Sequence, residues 1–258
     1  MIKFFRRIRQ QMLDQNKTSR YFKYALGEII LVVIGILIAL QINTWNENRK
    51  AANEETKILK ALQADFKVSK NRIKETIVIQ QKALNHGKTL IQIHERKDLK
   101  EFDFFNTQLD SLDNLIGFGT SWFRTEPVTG AYKALISAGK VDLIKNEKLR
   151  HLLAQFAADL ESGFEDQESA MFLLNNLNNK VSDFVLKIAS NKYRERLQLN
   201  SRKTDTLFIA EKFFKNESFF GDLYNKLALE YNRLARQQSM LSQTQAILVT
   251  IEMELTQE

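Results

Sequence analysis

Three histidines, His86, His94 and His151, are the side chains best suited to bind a metal ion, and the carboxylates are the other candidates for chemistry. No HExxH motif and no cysteine accompanies the histidines, so the sequence does not predict a zinc site of a common kind. Carboxylate pairs such as Asp110 with Asp113 have a spacing that any solvated helix face produces. We therefore predict no catalytic residue, no metal and no cofactor, and we do not expect an enzyme.

Motifs for nucleotide binding and acyl transfer are also missing. The sequence has no GxxxxGK(S/T), no GxGxxG and no GxSxG, and IGFGTSWF lacks the third glycine and the preceding strand of a dinucleotide loop. The segment that follows is a better candidate for binding. Trp122, Phe123 and Tyr132 would form apolar walls, with Arg124 and Glu126 as polar contacts, because rigid loops often carry binding residues. The alternative is a packed connection between helices.

The strongest single signal is a run of twelve residues without a polar side chain, IILVVIGILIAL, at Ile29–Leu40. At about 1.5 Å per residue it reaches roughly 18 Å, short of the roughly 30 Å hydrocarbon core of a bilayer. Extension to Tyr24–Ile42 gives about 28 Å, and Tyr24 and Trp45 then lie at the two interfaces. A cleaved signal peptide is the alternative, but no small-x-small cleavage site follows the run. We predict an uncleaved transmembrane signal anchor over residues 24–45.

Glu28 and a column of small residues indicate what the span would do besides anchoring. A carboxylate inside a membrane helix is a candidate ion relay or a partner for a base on another chain, whereas a later start of the span leaves Glu28 solvated at the interface. Gly35 and Ala39 form a small-xxx-small pair, and Gly27 and Asn43 lie on the same face, which favours close helix association. Ordinary anchors also carry Gly and Ala often, so both interpretations stay open.

The net charge of +7 is concentrated before the span. Residues 1–23 carry seven basic side chains, including Arg6, Arg7, Arg9 and Lys23, against one acidic side chain, while the rest of the chain is nearly balanced. This distribution argues against a nucleic-acid partner and predicts a cytoplasmic N-terminus. An amphipathic helix on anionic lipid fits the segment, with a basic tail that only sets topology as the alternative. We predict a single-pass protein of the inner (cytoplasmic) membrane with a periplasmic C-terminal domain.

The region after the span has the periodicity of long helices. It contains the only proline, Pro127, and apolar residues recur at three- and four-residue steps. The membrane helix is expected to continue outward to a first break at Asn85–Gly87 and a second at Asp98–Asp103. Gly139 is expected to end a short helix, and Asn146 to cap the next one.

The fold class is therefore predicted to be all-α, in three parts. These parts are an amphipathic cytoplasmic segment over residues 1–23, one transmembrane helix over 24–45 and a bundle of long antiparallel helices over 46–258.

The clearest periodicity lies near the C-terminus, where apolar residues fall seven apart over six heptads. These residues are Phe220, Leu227, Leu234, Leu241, Leu248 and Leu255. The companion positions are mixed: Leu223 and Ile251 are apolar, but Glu230, Gln237 and Thr244 are not. This is half of a coiled-coil pattern. We interpret it as a bundle helix that packs on one or two neighbours and returns antiparallel to the first long helix.

Two stretches resemble an uncharacterised family of bacterial single-span membrane proteins, classified only as a domain of unknown function. The first is GEIILVVIGILIALQINTWNENRK, from Gly27 to Lys50, together with the N-terminal MIKFFRRIRQ. The second is AYKALISAGKVDLIKNEKLRHLL, from Ala131 to Leu153. The resemblance implies a membrane location and a mainly helical outward part, and it brings no activity, ligand or catalytic residue.

An anchored helical domain without a catalytic motif is typical of an interaction or scaffold protein. The expected partners are membrane lipid, further copies of the chain or another membrane protein, and no nucleic acid. A periplasmic ligand sensor is the alternative, although residues 1–23 are too few for a cytoplasmic output domain.

Overall fold

The computed structural model of the protein describes residues 18–96, 109–124, 126–162, 167–188, 191–201 and 206–256. These residues form helices joined by short connections, and none of them lies in a strand. The helices are α1 (Thr18–Arg96), α2 (Leu109–Gly119), α3 (Gly130–Ser137), a 3-10 turn η1 (Val141–Leu143), α4 (Glu147–Ser162), α5 (Gln167–Ile188), α6 (Asn191–Arg196), α7 (Thr206–Phe214) and α8 (Glu217–Thr256). The all-α prediction is confirmed.

The chain divides into two compact units, Met1–Lys57 and Ile58–Glu258. In the first unit the described residues belong to α1, and the large apolar side chains from Ile29 to Ile42 are exposed. This stretch is long and apolar enough to cross a membrane. The second unit holds the remaining helices and the apolar core.

Helix α1 continues through Asn85–Gly87, so the prediction of a break there was wrong. Gly87 is buried, and a side chain at this position would collide with the methyl groups of Leu227 on α8. The glycine therefore permits close packing between two helices and does not end one. The second expected break, Asp98–Asp103, lies outside the described residues.

Helices α1 and α8 run antiparallel in the second unit. Gln80 of α1 donates a hydrogen bond to the backbone carbonyl of Glu230 at 3.2 Å. Further along α1, the ring of His94 stacks on Phe220, with 4.1 Å between ring centroids. Residue numbers rise along α1 from Gln80 to His94, while those of the contacted residues fall along α8 from Glu230 to Phe220. The two helices therefore have opposite directions. The heptad helix is thus a bundle helix that returns along the first long helix, as predicted.

Helix α4 packs on the second half of α8. Asn146 caps α4 as predicted, because its Oδ1 accepts a hydrogen bond from the N–H of Leu149 at 2.9 Å. Its Nδ2 donates to Glu254 near the end of α8 at 2.7 Å. At the other end of α4, the carbonyl of Ser162 accepts from Arg236 at 3.4 Å. These two contacts make α4 antiparallel to α8.

Helix α3 ends just before a left-handed glycine, Gly139, with a φ of 65°. The N–H of Gly139 donates to the carbonyl of Ile136, and the N–H of Lys140 donates to that of Leu135. The last carbonyls of the helix are therefore satisfied by a glycine C-cap. The predicted helix end at Gly139 is confirmed.

Two apolar clusters form the core of the second unit. The first joins α1, α2, α5, α7 and α8 around Phe213. The second joins α1, α3, α4 and α8, and the rings of Phe66 and Phe156 meet in it edge to face at 5.1 Å. Along α8 the first cluster ends at Leu234 and the second begins at Met240.

Candidate functional site

Polar side chains are buried where the two apolar clusters meet. They are Gln80 on α1 and Lys226, Glu230, Arg233 and Gln237 on α8, and we call them the polar layer. The four residues of α8 follow one another at three- and four-residue steps, so they share one helix face. Charged side chains are almost never fully buried unless they are paired. The partners of each charge therefore decide what this site can do.

Lys226 and Glu230 form an ion pair one helical turn apart, and both residues are 0% exposed. The Lys226 ammonium also donates a hydrogen bond to the backbone carbonyl of Gly119 at 3.0 Å. Burial lowers the pKa of Lys226 and raises the pKa of Glu230, and the attraction between the two charges opposes both shifts. Arg233 also attracts the Glu230 carboxylate and lowers its pKa, so Glu230 has two basic neighbours in the core.

The Gly119 carbonyl reaches Lys226 because α2 ends very close to α1. A Cβ atom at Gly119 would lie 3.2 Å from the backbone of Gly87 and 2.9 Å from a methyl group of Leu90. The two facing glycines thus allow the two backbones to approach. This contact fixes where the loop after α2 begins.

Arg233 lies over the indole ring of Trp122, with 4.2 Å from the guanidinium carbon to the ring centroid. Trp122 belongs to the loop after α2, so this loop covers one side of the polar layer. A cation–π contact of a desolvated arginine contributes about 2 kcal/mol. The indole Nε1 is buried and donates to no acceptor among the described residues. Trp122 is therefore held through its ring.

The far end of the loop is attached to α1. Ser69 Oγ accepts a hydrogen bond from the N–H of Val128 at 2.8 Å. One turn earlier on α1, Asp65 Oδ2 accepts from the N–H of Ala131 at the start of α3, at 2.7 Å. Together with the bond between Gly119 and Lys226, these contacts position both ends of the loop.

Several buried acceptors in and beside the polar layer lack a donor among the described residues. They are Oε1 of Gln80, Glu230 and Gln237 and Oγ1 of Thr244. A buried acceptor without a donor costs about 1–3 kcal/mol.

The five predicted binding-loop residues contact different neighbours. Trp122 stacks on the arginine of the polar layer. Phe123 lies near the end of α2, and its ring centroid is 6.4 Å from that of Phe118. Tyr132 packs against the second apolar cluster. Arg124 and Glu126 pair with each other at 2.7 Å. The structure thus brings the two polar residues together and places the three aromatic rings against separate parts of the bundle.

The predicted helix-association residues lie on α1 in the first unit. A Cβ atom at Gly27 or Gly35 would meet no atom of the described residues within 4 Å, and Ala39 is exposed. Asn43 donates a hydrogen bond to the carboxylate one turn on in the same helix, at 2.9 Å. Glu28 is half-buried. Association through these residues stays a prediction.

The predicted membrane-interface residues are only partly described. Lys23 and Trp45 are exposed on α1, and Tyr24 lies within the same helix. The guanidinium carbon of Arg49 lies 5.8 Å from the centroid of the Trp45 ring. The remaining predicted interface residues, Arg6, Arg7 and Arg9, lie outside the described part of the chain.

Two histidines contact the backbone. His94 Nδ1 lies 2.8 Å from the carbonyl of Phe214, and its Nε2 lies 3.2 Å from the carboxylate of Glu217. His86 Nδ1 lies 2.7 Å from the carbonyl of Lys82. Within the described residues, no group of three or more His, Cys, Asp or Glu side chains is placed to hold a metal ion.

Sequence reasoning missed the charged residues of the polar layer. Glu230 and Gln237 interrupt the heptad pattern in the sequence, whereas in the structure both are buried. Lys226 and Arg233 fall on a parallel column that Met240 continues seven residues later. Charged residues that share a seven-residue spacing with a buried apolar residue such as Met240 are the sequence signal for this layer.

A family model of unknown function, DUF6090, matches residues 28–158. The chain belongs to this family. The resemblance to an uncharacterised family is therefore confirmed. The DUF6090 match includes Gln80, Gly119 and Trp122 and ends within α4, so the α8 residues of the polar layer lie beyond it. No curated protein and no solved structure matches the chain.

Proposed function

We propose that this protein is a membrane-anchored helical interaction or scaffold protein. α1 crosses the inner (cytoplasmic) membrane once as a signal anchor, residues 1–23 lie on the cytoplasmic lipid surface, and the bundle faces the periplasm. One observation carries the proposal: the apolar side chains from Ile29 to Ile42 are all about half exposed or more. The excess of basic residues before the span supports the orientation.

An apolar surface of this size is stable only when it is covered. Burying one Leu, Ile or Val side chain contributes about 1.5–3 kcal/mol, so covering eleven of them contributes on the order of 20 kcal/mol. A bilayer supplies this cover along the whole apolar stretch from Ile29 to Ile42. The helix in turn satisfies its own backbone hydrogen bonds, as lipid requires.

The chemistry of the polar layer supports a binding protein and not an enzyme. A general acid or base must come within about 2.6–3.2 Å of the group it protonates or deprotonates. Lys226 and Glu230 have no exposed surface, and Lys226 already donates to Gly119. We therefore propose partners without catalysis: membrane lipid, and either further copies of the chain or another membrane protein.

The small residues of the span support association with a second membrane helix. Gly35 and Ala39 offer a surface on which another helix backbone can approach closely. Gly27 extends this surface by two more turns. A partner that also spans the membrane could therefore pack on the anchor.

Single reporter cysteines test the topology, because the chain contains no cysteine of its own. We expect Thr256→Cys to react with a membrane-impermeant maleimide in intact spheroplasts, and Lys3→Cys to react only after lysis. The protein should also stay in the membrane pellet after alkaline carbonate extraction. Labelling of Lys3→Cys from outside, or release by carbonate, would contradict the proposal.

Co-purification from native membranes tests the interaction itself. The full chain should be recovered with stoichiometric amounts of itself or of another membrane protein after mild detergent extraction. Recovery as a single chain that crosslinks to nothing would remove the scaffold function and leave only the anchor.

Ligand sensing is a second candidate, and the loop of residues 120–129 favours it. Its Arg124 is exposed, while Trp122 of the same loop stacks on Arg233 in the core. A ligand bound at the outer end of the loop would therefore be coupled to α8. Thermal shift of the full chain against metabolite pools tests this candidate, and the absence of a shift with every pool would remove it.

A further inference from the structure

The outward face of α8 is almost uncharged. Between Ser218 and Thr250, fifteen residues of α8 are exposed, and Arg236 is the one charged residue among them. The others are Ser218, Gly221, Tyr224, Asn225, Ala228, Tyr231, Asn232, Ala235, Gln238, Ser239, Ser242, Gln245, Ala246 and Val249. We call this strip the α8 face. Composition does not explain it, because 27% of all residues in the chain are charged.

The other charges in this part of α8 are withdrawn from solvent. Three of them are buried in the polar layer, and Asp222 pairs with Lys180 of α5 at 2.5 Å. A solvated bundle helix has the reverse arrangement, with charge outside and apolar residues inside. Large aromatic side chains remain outside instead: Tyr224 is 66% exposed and Tyr231 is 62% exposed.

The α8 face repeats every seven residues, which is the spacing that keeps one helix in contact with another. One column consists of small side chains up to valine in size: Gly221, Ala228, Ala235, Ser242 and Val249. A second column, three residues later, consists of larger uncharged side chains: Tyr224, Tyr231, Gln238 and Gln245. Each large residue therefore lies beside a small one on the same face.

The α8 face continues into a groove between α8 and α1. The groove has a volume of about 300 Å³, and it is lined by Leu84, Lys88, Ile91, Gln92, Tyr224, Leu227, Ala228 and Tyr231. The two exposed tyrosines thus form the edge of a depression. The face offers both projecting rings and a space that can receive one.

We propose that a second copy of this chain docks on the α8 face, which makes the protein a symmetric pair; this rests on the proposed function of an anchored interaction protein. A two-fold contact requires a surface that complements itself. The α8 face meets this requirement because it carries knobs and holes together. It carries one charged residue, Arg236, and Lys88 lies in the adjoining groove, so two copies would bring few like charges into opposition.

The size of the α8 face is sufficient for a pair of copies. A strip about 50 Å long and about 10 Å wide gives about 1,000 Å² over both copies, which is the lower limit for a biological interface. Anchoring in one membrane would further raise the effective concentration of each copy for the other. A charged partner would gain little from this face, because the face offers it almost no charge.

Single-cysteine crosslinking of the full chain in native membranes tests the proposal. Ala228→Cys, Ala235→Cys and Ser242→Cys place a thiol on the α8 face, and a short thiol-reactive crosslinker is then added. The matched controls are Ala64→Cys on α1 and Ala154→Cys on α4, which are also exposed alanines. We expect a shift from the mass of one chain to that of two for cysteines on the α8 face, and no shift for the controls.

The pattern of products reports the geometry. Crosslinks at all three α8 positions indicate a parallel pair, a crosslink at one of them indicates an antiparallel pair, and both support the proposal. Adding Ala228→Lys to the crosslinking Ala235→Cys variant should abolish the shift, because it puts two like charges into the interface. Circular dichroism of each variant shows that the helices are intact.

Two results would overturn the docking of a second copy. One is an α8 face that crosslinks no more than Ala64→Cys and Ala154→Cys. The other is an adduct whose mass differs from that of two chains, which shows that a different protein covers the face. The proposed function fails separately, by carbonate release of the full chain. Recovery of the full chain with a different membrane protein and without a second copy would overturn the docking and leave the proposed function intact.

Discussion

The two long helices of the bundle place their charges on opposite sides. In α1, from Ile58 to Arg96, nine of the seventeen exposed residues are charged, and no charged residue is buried. In α8, from Ser218 to Thr250, one of the fifteen exposed residues is charged, and Lys226, Glu230 and Arg233 are buried. The helices run side by side in one core, so their common environment does not explain the difference.

The difference fits the proposal that a second copy covers the outer face of α8 while solvent covers that of α1. α1 has an ordinary solvated outer face and an inner face that is mainly apolar. The inner face of α8 keeps its charges because the Gly119 carbonyl and the Trp122 ring receive them. Its outer face lacks solvating charge, as expected for a surface that another helix covers. The predictions below separate the inner half of this comparison from the outer half.

The largest expected effect comes from breaking the buried pair of α8. Lys226→Met removes the ion-pair partner of the buried Glu230 carboxylate and leaves Arg233 as its remaining basic neighbour, so it should lower the free energy of unfolding by about 3–5 kcal/mol. Denaturant unfolding of the detergent-solubilised full chain, followed by circular dichroism, measures this loss. Lys74→Met on the outer face of α1 is the matched control and should change the free energy by less than about 0.5 kcal/mol.

A double variant separates the pair from its individual charges. Lys226→Met combined with Glu230→Leu removes both charges of the pair and leaves Arg233 on the Trp122 ring, so it should recover most of the free energy of unfolding that Lys226→Met loses. If the free energy of unfolding falls as much in the double variant as in Lys226→Met alone, packing and not charge stabilises this part of α8.

The approach of α2 to α1 gives the next largest effect. Gly119→Ala would press a methyl group against the backbone of Gly87 and should cost about 1–3 kcal/mol. Gly117→Ala lies in the same helix, and its Cβ would meet no atom of the described residues within 4 Å. It should be neutral or stabilising by up to about 1 kcal/mol. Equal thermal shifts for the two variants would show that the glycine contact does not position the loop.

The pH dependence of stability should also reveal the buried pair. The raised pKa of Glu230 means that stability falls as the pH rises above the ordinary value of 4.5 and through the folded pKa. The lowered pKa of Lys226 means that stability recovers as the pH rises toward the ordinary value of 10.5. The free energy of unfolding of the wild type relative to the uncharged double variant should therefore pass through a minimum between these limits. A flat difference would show that neither shift exists.

The smallest expected effect on folding comes from the outer faces. Below the concentration at which two copies associate, Ala235→Lys on α8 and Lys74→Ala on α1 should each change the free energy of unfolding by less than about 0.5 kcal/mol, because both positions are exposed in a single chain. Thermal unfolding in dilute detergent checks this. A large loss in Ala235→Lys without any change in association would mean that the α8 face contributes to the fold of a single chain.

Local signals in the sequence were sufficient for much of the fold. The apolar run at Ile29–Leu40 marks the candidate span, because a membrane-spanning helix is recognised by its length and composition alone. Gly139 and Asn146 end and cap helices as predicted, because a left-handed residue and a side-chain cap act within one turn.

Features that depend on distant contacts were not predictable in this way. Gly87 looked like a helix end, and only the side chain of Leu227 explains why a glycine is buried inside α1. The polar layer was missed for the same reason: the burial of Lys226 depends on the carbonyl of Gly119, which is far away in the sequence. The five residues of the candidate loop were recognised as a group, but their different neighbours belong to the tertiary fold.

The mass of the full chain in mild detergent, measured by light scattering with the detergent subtracted, tests the central claim most directly. The claim is that the almost uncharged α8 face is covered by a second copy. We predict a protein mass of two chains of 30.0 kDa for the wild type and of one chain for Ala228→Lys combined with Ala235→Lys. A wild type of one chain, or a pair that persists in the double lysine variant, would contradict it.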